Sequence, residues 1–178
     1  MNRTAVLYAL ASAALFGIST PAAKVLIGAI DPVVLAGLLY CGAGIGVTIS
    51  RHLAHAVLPQ TEQALQREDI PWLAGAIGAG GVAGPILLMT GLARTDASAS
   101  SLLLTLEGAA TALMAWFIFH ENFDRRVALG MVCLVAGAAA LAWSGMPTLA
   151  GVIGPIAIIG ACVMWGLDNN LTRKISLA

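Results

Sequence analysis

ASASSLLLTLEGAATALMAWFIF, residues 97–119, carries one ionisable side chain, Glu107, in an otherwise apolar or small-residue run. A helix rises about 1.5 Å per residue and a bilayer's hydrocarbon core is about 30 Å thick, so a run of this length spans it. Backbone polar groups cannot stay unpaired in lipid, which leaves only helices or closed barrels. A barrel strand needs just about ten residues, so the length selects a helix.

Working outward, five more runs of similar length lie between polar breaks: Ala5 to Ile27, Pro32 to Ile49, Pro71 to Leu92, Val127 to Trp143 and Leu149 to Leu171. The predicted fold is therefore all-α, a polytopic membrane bundle of about six transmembrane helices. Asp31-Pro32 and Pro71 are helix-start signals, because a proline in the first turn removes an N–H that would be unpaired anyway. The polar stretch from Arg51 to Ile70 is the longest connection, and the short breaks elsewhere favour antiparallel neighbours. Arg3 followed by an apolar run also suits a signal peptide, but Ala5 to Ile27 exceeds the usual apolar region of one and more spans follow.

Composition agrees. Hydrophobic residues make up 59% of the chain and charged residues 10%, with 20 glycines and a mean hydropathy of +0.90. Too few polar side chains are present to cover a water-soluble globule, so the bilayer is the expected partner of most of the surface. Formal net charge is zero, which removes nucleic acid as an expected partner. Cys41, Cys133 and Cys162 sit inside apolar runs at spacings that suit neither zinc nor a disulfide framework, and no cofactor or metal is implied.

Seven of the nine basic residues, Arg3, Arg51, Arg67, Arg125, Arg126, Arg173 and Lys174, fall on the side that holds the N-terminus. Only Lys24 and Arg94 fall opposite. The positive-inside rule then predicts that the N-terminus and the end of the chain are cytoplasmic, in the plasma (inner) membrane, and disfavours a dual-topology dimer. Trp72 and Trp143 fall at predicted helix ends, where aromatic rings suit the interface. Gly42-Ala43-Gly44-Ile45-Gly46 and Gly80-Gly81-Val82-Ala83-Gly84 each hold small residues four apart, the pattern of close helix packing or of a glycine-lined cavity wall.

At an offset of 149 residues, Ala14-Leu15-Phe16-Gly17-Ile18 lies over Val163-Met164-Trp165-Gly166-Leu167, and Lys24 over Arg173. The unit from one copy to the next is five spans, an odd number, so the second copy is inverted, as in many secondary transporters. The stretch 101–143, SLLLTLEGAATALMAWFIFHENFDRRVALGMVCLVAGAAALAW, resembles the fourth helix, loop and fifth helix of the EamA domain of the drug/metabolite transporter superfamily. LFGISTPAAK and MWGLDNNLTRK resemble the opening signatures of two successive EamA repeats. Departures from the pattern fall at Leu39, where a basic residue is common, at Gly108, where a proline is, and at His120, where a glycine is.

The resemblance implies a first five-helix repeat over residues 1–146 and the first helix of a second, incomplete one over 147–178. It implies a substrate cavity between repeats and export or exchange of a small metabolite, such as an amino acid, or of a drug. A second copy of the chain or a missing half-repeat would complete the pathway.

Glu107 is the sharpest candidate, about 15 Å along its helix and so near the bilayer midplane. A carboxyl there costs a few kcal/mol or more and marks proton relays and substrate pathways, unless it is a structural group bonded to Ser101, Thr105 or Thr111, or to another helix. Asp168, Asn169 and Asn170 form a second cluster, about one turn inside the predicted end of the sixth helix. They line an inner mouth or form a solvated helix end. Ser19 and Thr20 hold the corresponding places in the first helix, beside Pro21, whose ring frees a backbone carbonyl. Lys24, near the outer end, snorkels to the interface or draws anions into a vestibule. The loop His120, Glu121, Asp124, Arg125 and Arg126 reads as a solvated anchor.

His120-Glu121-Asn122-Phe123-Asp124 starts like HExxH, but Asp124 stands where the second histidine belongs. Gly78-Ala79-Gly80-Gly81-Val82-Ala83 fits a loose dinucleotide string without the preceding strand. With no convincing nucleophile and base, an enzyme is not expected. The leading expectation is an alternating-access transporter, proton-coupled through Glu107. The alternative is a non-transporting scaffold or an inactive truncated remnant.

Overall fold

The computed structural model describes residues 3–55, 65–120, 124–142 and 149–176. Among these residues there are six helical rods and no strand. The rods α1 (Arg3–Ile27) and α2 (Pro32–His55) are continuous helices. α3 (Arg67–Arg94) opens as a 3-10 turn at Arg67–Asp69, continues as α-helix over Ile70–Ala76, widens to a π-helix over Ile77–Ala83 and finishes as α-helix over Gly84–Arg94. α4 (Ala97–Phe117) has two segments, Ala97–Leu104 and Leu106–Phe117, with a turn at Thr105. α5 is Arg125–Ala142 and α6 is Leu149–Ser176.

Five rods, α1 to α4 and α6, are long and apolar enough to cross a membrane. The remaining predicted span is α5, an 18-residue helix that opens on Arg125 and Arg126. Trp143, where that span was expected to end, lies outside the described residues. The chain is an all-α, polytopic membrane helix bundle, and its many exposed large apolar side chains, such as Leu7, Leu38 and Leu129, suit lipid rather than water.

Two helices outrun their predicted ends. α2 continues past Ile49 to His55 and α6 past Leu171 to Ser176. A polar side chain ends an apolar run, but the backbone still satisfies its carbonyls best by continuing the helix into the interface. The starts are as expected: Asp31 Oδ1 accepts from the amides of Val33 (2.9 Å) and Val34 (3.3 Å) ahead of α2, and Pro71 sits in the first turn of Ile70–Ala76. Asp124 Oδ1 likewise accepts from the Arg126 amide at 2.9 Å as α5 begins.

α6 lies in the groove between α3 and α4. Against α3 it runs antiparallel, with Gly154 beside Arg94 and Thr95, Ile158 over Gly91, Trp165 over Gly84, Asp168 over Gly80 and Leu171 by Gly75. Against α4 it runs parallel, with Cys162 beside Leu103 and Leu104, then Gly166 beside Ala110 and Thr111. Lys24, at the end of α1, reaches the carbonyls of Leu92 and Thr95 at the end of α3, so α1 is parallel to α3. It follows that α1 and α6 run in opposite directions.

The buried core gathers at the Lys24 end: Ala23, Leu35, Ala36, Leu88, Met89, Leu92, Leu103, Leu104, Ile158, Ala161 and Cys162. Between lipid-facing helices little hydrophobic drive exists, so backbones must approach closely, and glycine permits it. At Gly91 a Cβ would lie 2.6 Å from Ile158 Cγ1 and 2.8 Å from the Gly154 carbonyl oxygen.

Candidate functional site

The opposite half of the bundle is polar inside. Glu107 stands one residue into the second segment of α4, just past the turn at Thr105, whose hydroxyl donates back to the Leu102 carbonyl at 2.6 Å. The Ser101 hydroxyl is similarly turned to Ala97, at 2.9 Å. Both hydroxyls are thus satisfied by their own helix, as short polar side chains in membrane helices often are. The Glu107 carboxyl meets α6 instead: Asn169 Nδ2 donates to Glu107 Oε1 and to Thr111 Oγ1, each at 3.2 Å.

Asn170, almost fully buried, donates from Nδ2 to the carbonyls of Thr111 (3.0 Å) and Gly166 (2.8 Å). This bracket fixes the rotation of α6 on α4 and so aims the neighbouring Asn169 at Glu107. The packing beneath is tight, since a Cβ on Gly166 would lie 2.9 Å from the Thr111 nitrogen. Asp168 points the other way, its carboxylate against Gly80 of α3 and its Oδ1 accepting from the Thr172 hydroxyl at 3.1 Å. Because α6 runs on to Ser176, these three residues sit about two turns inside its end, level with Glu107 and deeper than the sequence predicted.

A cavity of about 440 Å³ opens between α4, α5 and α6. Glu107, Thr111 and Asn169 line one end of it, and Trp116, Asp124 and Arg173 line the end where the basic residues gather. From Glu107 to Trp116 is nine residues of α4, roughly 13 Å of axial rise. The arrangement is a recess with mostly apolar walls and polar groups at its two ends, leading from one face of the bundle to a carboxyl held by an amide. It can accept and pass a proton, or hold a small polar solute.

The remaining predicted site residues are elsewhere. Ser19 donates to the Phe16 carbonyl at 2.7 Å and is exposed, while Thr20 is buried; neither lines the cavity. Lys24 sits at the end of α1, beside the end of α3. Its ammonium donates to the carbonyls of Leu92 and Thr95 (2.8 Å to the latter), where the last turn of α3 leaves carbonyls without amide partners. Trp72 stands at the start of α3 with the Lys174 ammonium 3.6 Å from its ring centroid. His120 follows α4 with φ of 54°. Glycine takes up that left-handed conformation without strain, which accounts for the glycine expected there by resemblance.

Sequence reasoning missed three participants. Tyr40 of α2 and Trp165 of α6 both donate to the Gly80 carbonyl, each at 3.1 Å. Trp165 also meets Phe16 edge-on, with centroids 6.2 Å apart. Phe16 and Trp165 are the residues paired by the 149-residue offset. A side chain that touches its own repeat-mate across helices of opposite direction lies where a pseudo-twofold axis would pass. The one available signal was that Trp165 sits well inside an apolar run rather than at its end.

Membrane-length helices packed around a recess that holds a carboxyl define a multi-pass integral membrane protein. The chain belongs to the EamA-like transporter family, whose match covers residues 3–143. It is 29% identical over 173 residues to a curated protein of Methanothermobacter thermautotrophicus (strain Delta H) described as an uncharacterized transporter. That alignment takes in 90% of this chain and 50% of the relative, so the chain spans about half the relative's length. No solved structure matches. Transporters of this family are not enzymes.

Proposed function

We propose that the chain forms the substrate pathway of a secondary transporter that exports or exchanges a small metabolite, such as an amino acid, or a drug, by alternating access. Glu107 is the proton-carrying group, Asn169 and Thr111 are its partners, and Asp168 and Asn170 hold α6 in place. The basic face is cytoplasmic in the plasma membrane. The open sides of α1 and α2 are completed by a further half-repeat or a second copy of the chain. The observation that carries this reading is the position of Glu107 at the inner end of the recess, bonded to an amide from another helix. An intramembrane carboxyl that faces a cavity is the usual mark of an ion or substrate path.

The test is pH-driven uptake of labelled amino acids and organic amines into proteoliposomes. Glu107→Gln keeps the shape and the amide contact but cannot carry a proton, so it is expected to abolish the response to a pH gradient while leaving solute exchange at equal pH. An unchanged gradient response in that variant ends the proton-carrier reading, and absence of any solute flux in the parent ends the transporter reading.

A further inference from the structure

The π-helical segment Ile77–Ala83 has a cause in the sequence. In an α-helix the ring of Pro85 would press on the carbonyl of residue 81, four positions back, and could not supply that carbonyl with an N–H. Widening to i→i+5 bonding relieves the clash, and the Gly84 amide accordingly donates to the Ala79 carbonyl. This moves the deficit. In the π arrangement the backbone donor due to the Gly80 carbonyl is residue 85, which is proline and has none.

The gap is filled from two other helices. Tyr40 Oη and Trp165 Nε1 each donate to the Gly80 oxygen at 3.1 Å. The α arrangement would reverse this: the Gly80 carbonyl would take the Gly84 amide, the Gly81 carbonyl would be orphaned, and Tyr40 and Trp165 would lose their acceptor. Each arrangement leaves a different carbonyl short, and the side chains decide which one is tolerated.

We propose that Ile77–Ala83 is a two-state switch in α3, held in its π form by Tyr40 and Trp165. The segment is built of Ile77, Gly78, Ala79, Gly80, Gly81, Val82 and Ala83, so a change of winding meets few bulky side chains. Gly84–Arg94 is clamped, with Leu88, Met89, Gly91 and Leu92 buried and Gly91 against Gly154. The Ile70–Ala76 half, against which lie the side chains of Leu171 and Lys174 rather than backbone, is the part that turns, by about 100° for a one-residue shift. Because the Asp168 carboxylate rests on Gly80, the turn moves the contact that places α6 and, through Asn169, the partner of Glu107. The switch does not depend on the transport reading.

Ala76 is buried in the π form and is the reporter, as Ala76→Cys in a background with Cys41 and Cys133 replaced by serine. Cys162, buried in the core, stays as an internal gauge of general unfolding. Maleimide labelling is followed in the detergent-purified full chain with Tyr40→Phe, Trp165→Phe or Pro85→Ala added. The first two remove a donor to the Gly80 oxygen; the third gives α winding its missing N–H, and Cys162 reports any loosening from the loss of the buried ring. Labelling at position 76 should rise about fivefold in each, the effect of one net hydrogen bond on a two-state equilibrium, while Cys162 stays protected. An unchanged rate at position 76 in all three overturns the switch. So does a rise at 76 matched by Cys162, which would mean that the bundle loosens as a whole.

Discussion

Gly42, Gly44 and Gly46 of α2 and Gly80, Gly84 and Gly91 of α3 are written in nearly the same sequence language, yet they have opposite surroundings. A Cβ added to any of the first three meets nothing within 4 Å. Added to the second three it collides with Asp168, the Trp165 ring or Ile158, in each case under 3 Å. The α3 glycines exist so that α6 can approach. The α2 glycines face outward, where only lipid or another helix can meet them. Small residues four apart are thus permission for close packing, and whether it occurs depends on a partner far away in the chain.

The largest contrast should come from alanine substitutions. Gly91→Ala must push α3 and α6 apart, because two of the blocking atoms belong to backbone, at Gly154 and Ile158. Overpacking of this kind is expected to cost about 1–3 kcal/mol. Gly44→Ala, in an exposed helix interior, should instead gain up to about 1 kcal/mol from helix propensity. Thermal denaturation of the two variants in one detergent checks the sign, and equal destabilisation would erase the distinction between the two runs.

An intermediate effect is expected at Lys24, whose ammonium joins the open helix α1 to the packed end of α3. Lys24→Met keeps the stem and removes both carbonyl contacts, at a cost of about 1.5–3 kcal/mol for hydrogen bonds from a charged group. Proteolytic or hydrogen-exchange protection should fall first in α1, with α3, α4 and α6 little changed. If all helices lose protection together, α1 is part of the packed unit and the contrast must be redrawn. The smallest effect is expected at Lys174. Removing its cation–π contact with Trp72 by Lys174→Ala should cost about 0.5–1 kcal/mol, visible as a slight drop in melting temperature.

Much of the architecture was legible in the chain. The apolar runs of bilayer length, five of which are helices long and apolar enough to cross a membrane among the described residues, and Asp31-Pro32 and Pro71 as starts followed from the thickness and dryness of the membrane. Glu107 stood out as the one ionisable side chain in its run. That Glu107 could bond to another helix was among the readings, but which residue would meet it was not legible. Ser101, Thr105 and Thr111 were nearer in sequence, but Ser101 and Thr105 satisfy themselves on their own helix, and the amide of Asn169 arrives from 62 residues away. Nothing local to Lys24 told of its bonds to the carbonyls at Leu92 and Thr95.

Length, hydropathy, turn chemistry and the inverted relation of the first and sixth helices are local or periodic properties, and the amino-acid order was enough to determine them. Which glycines are covered, which polar side chains meet, where α3 abandons α winding and which donors repair it were decided only in the tertiary structure. The physical reason is that lipid supplies no hydrogen bonds. A buried polar group gains by finding a partner inside the bundle, and for Glu107, Lys24 and the Gly80 carbonyl that partner lies on a helix distant in sequence, whereas the buried Thr95 hydroxyl has none among the described residues.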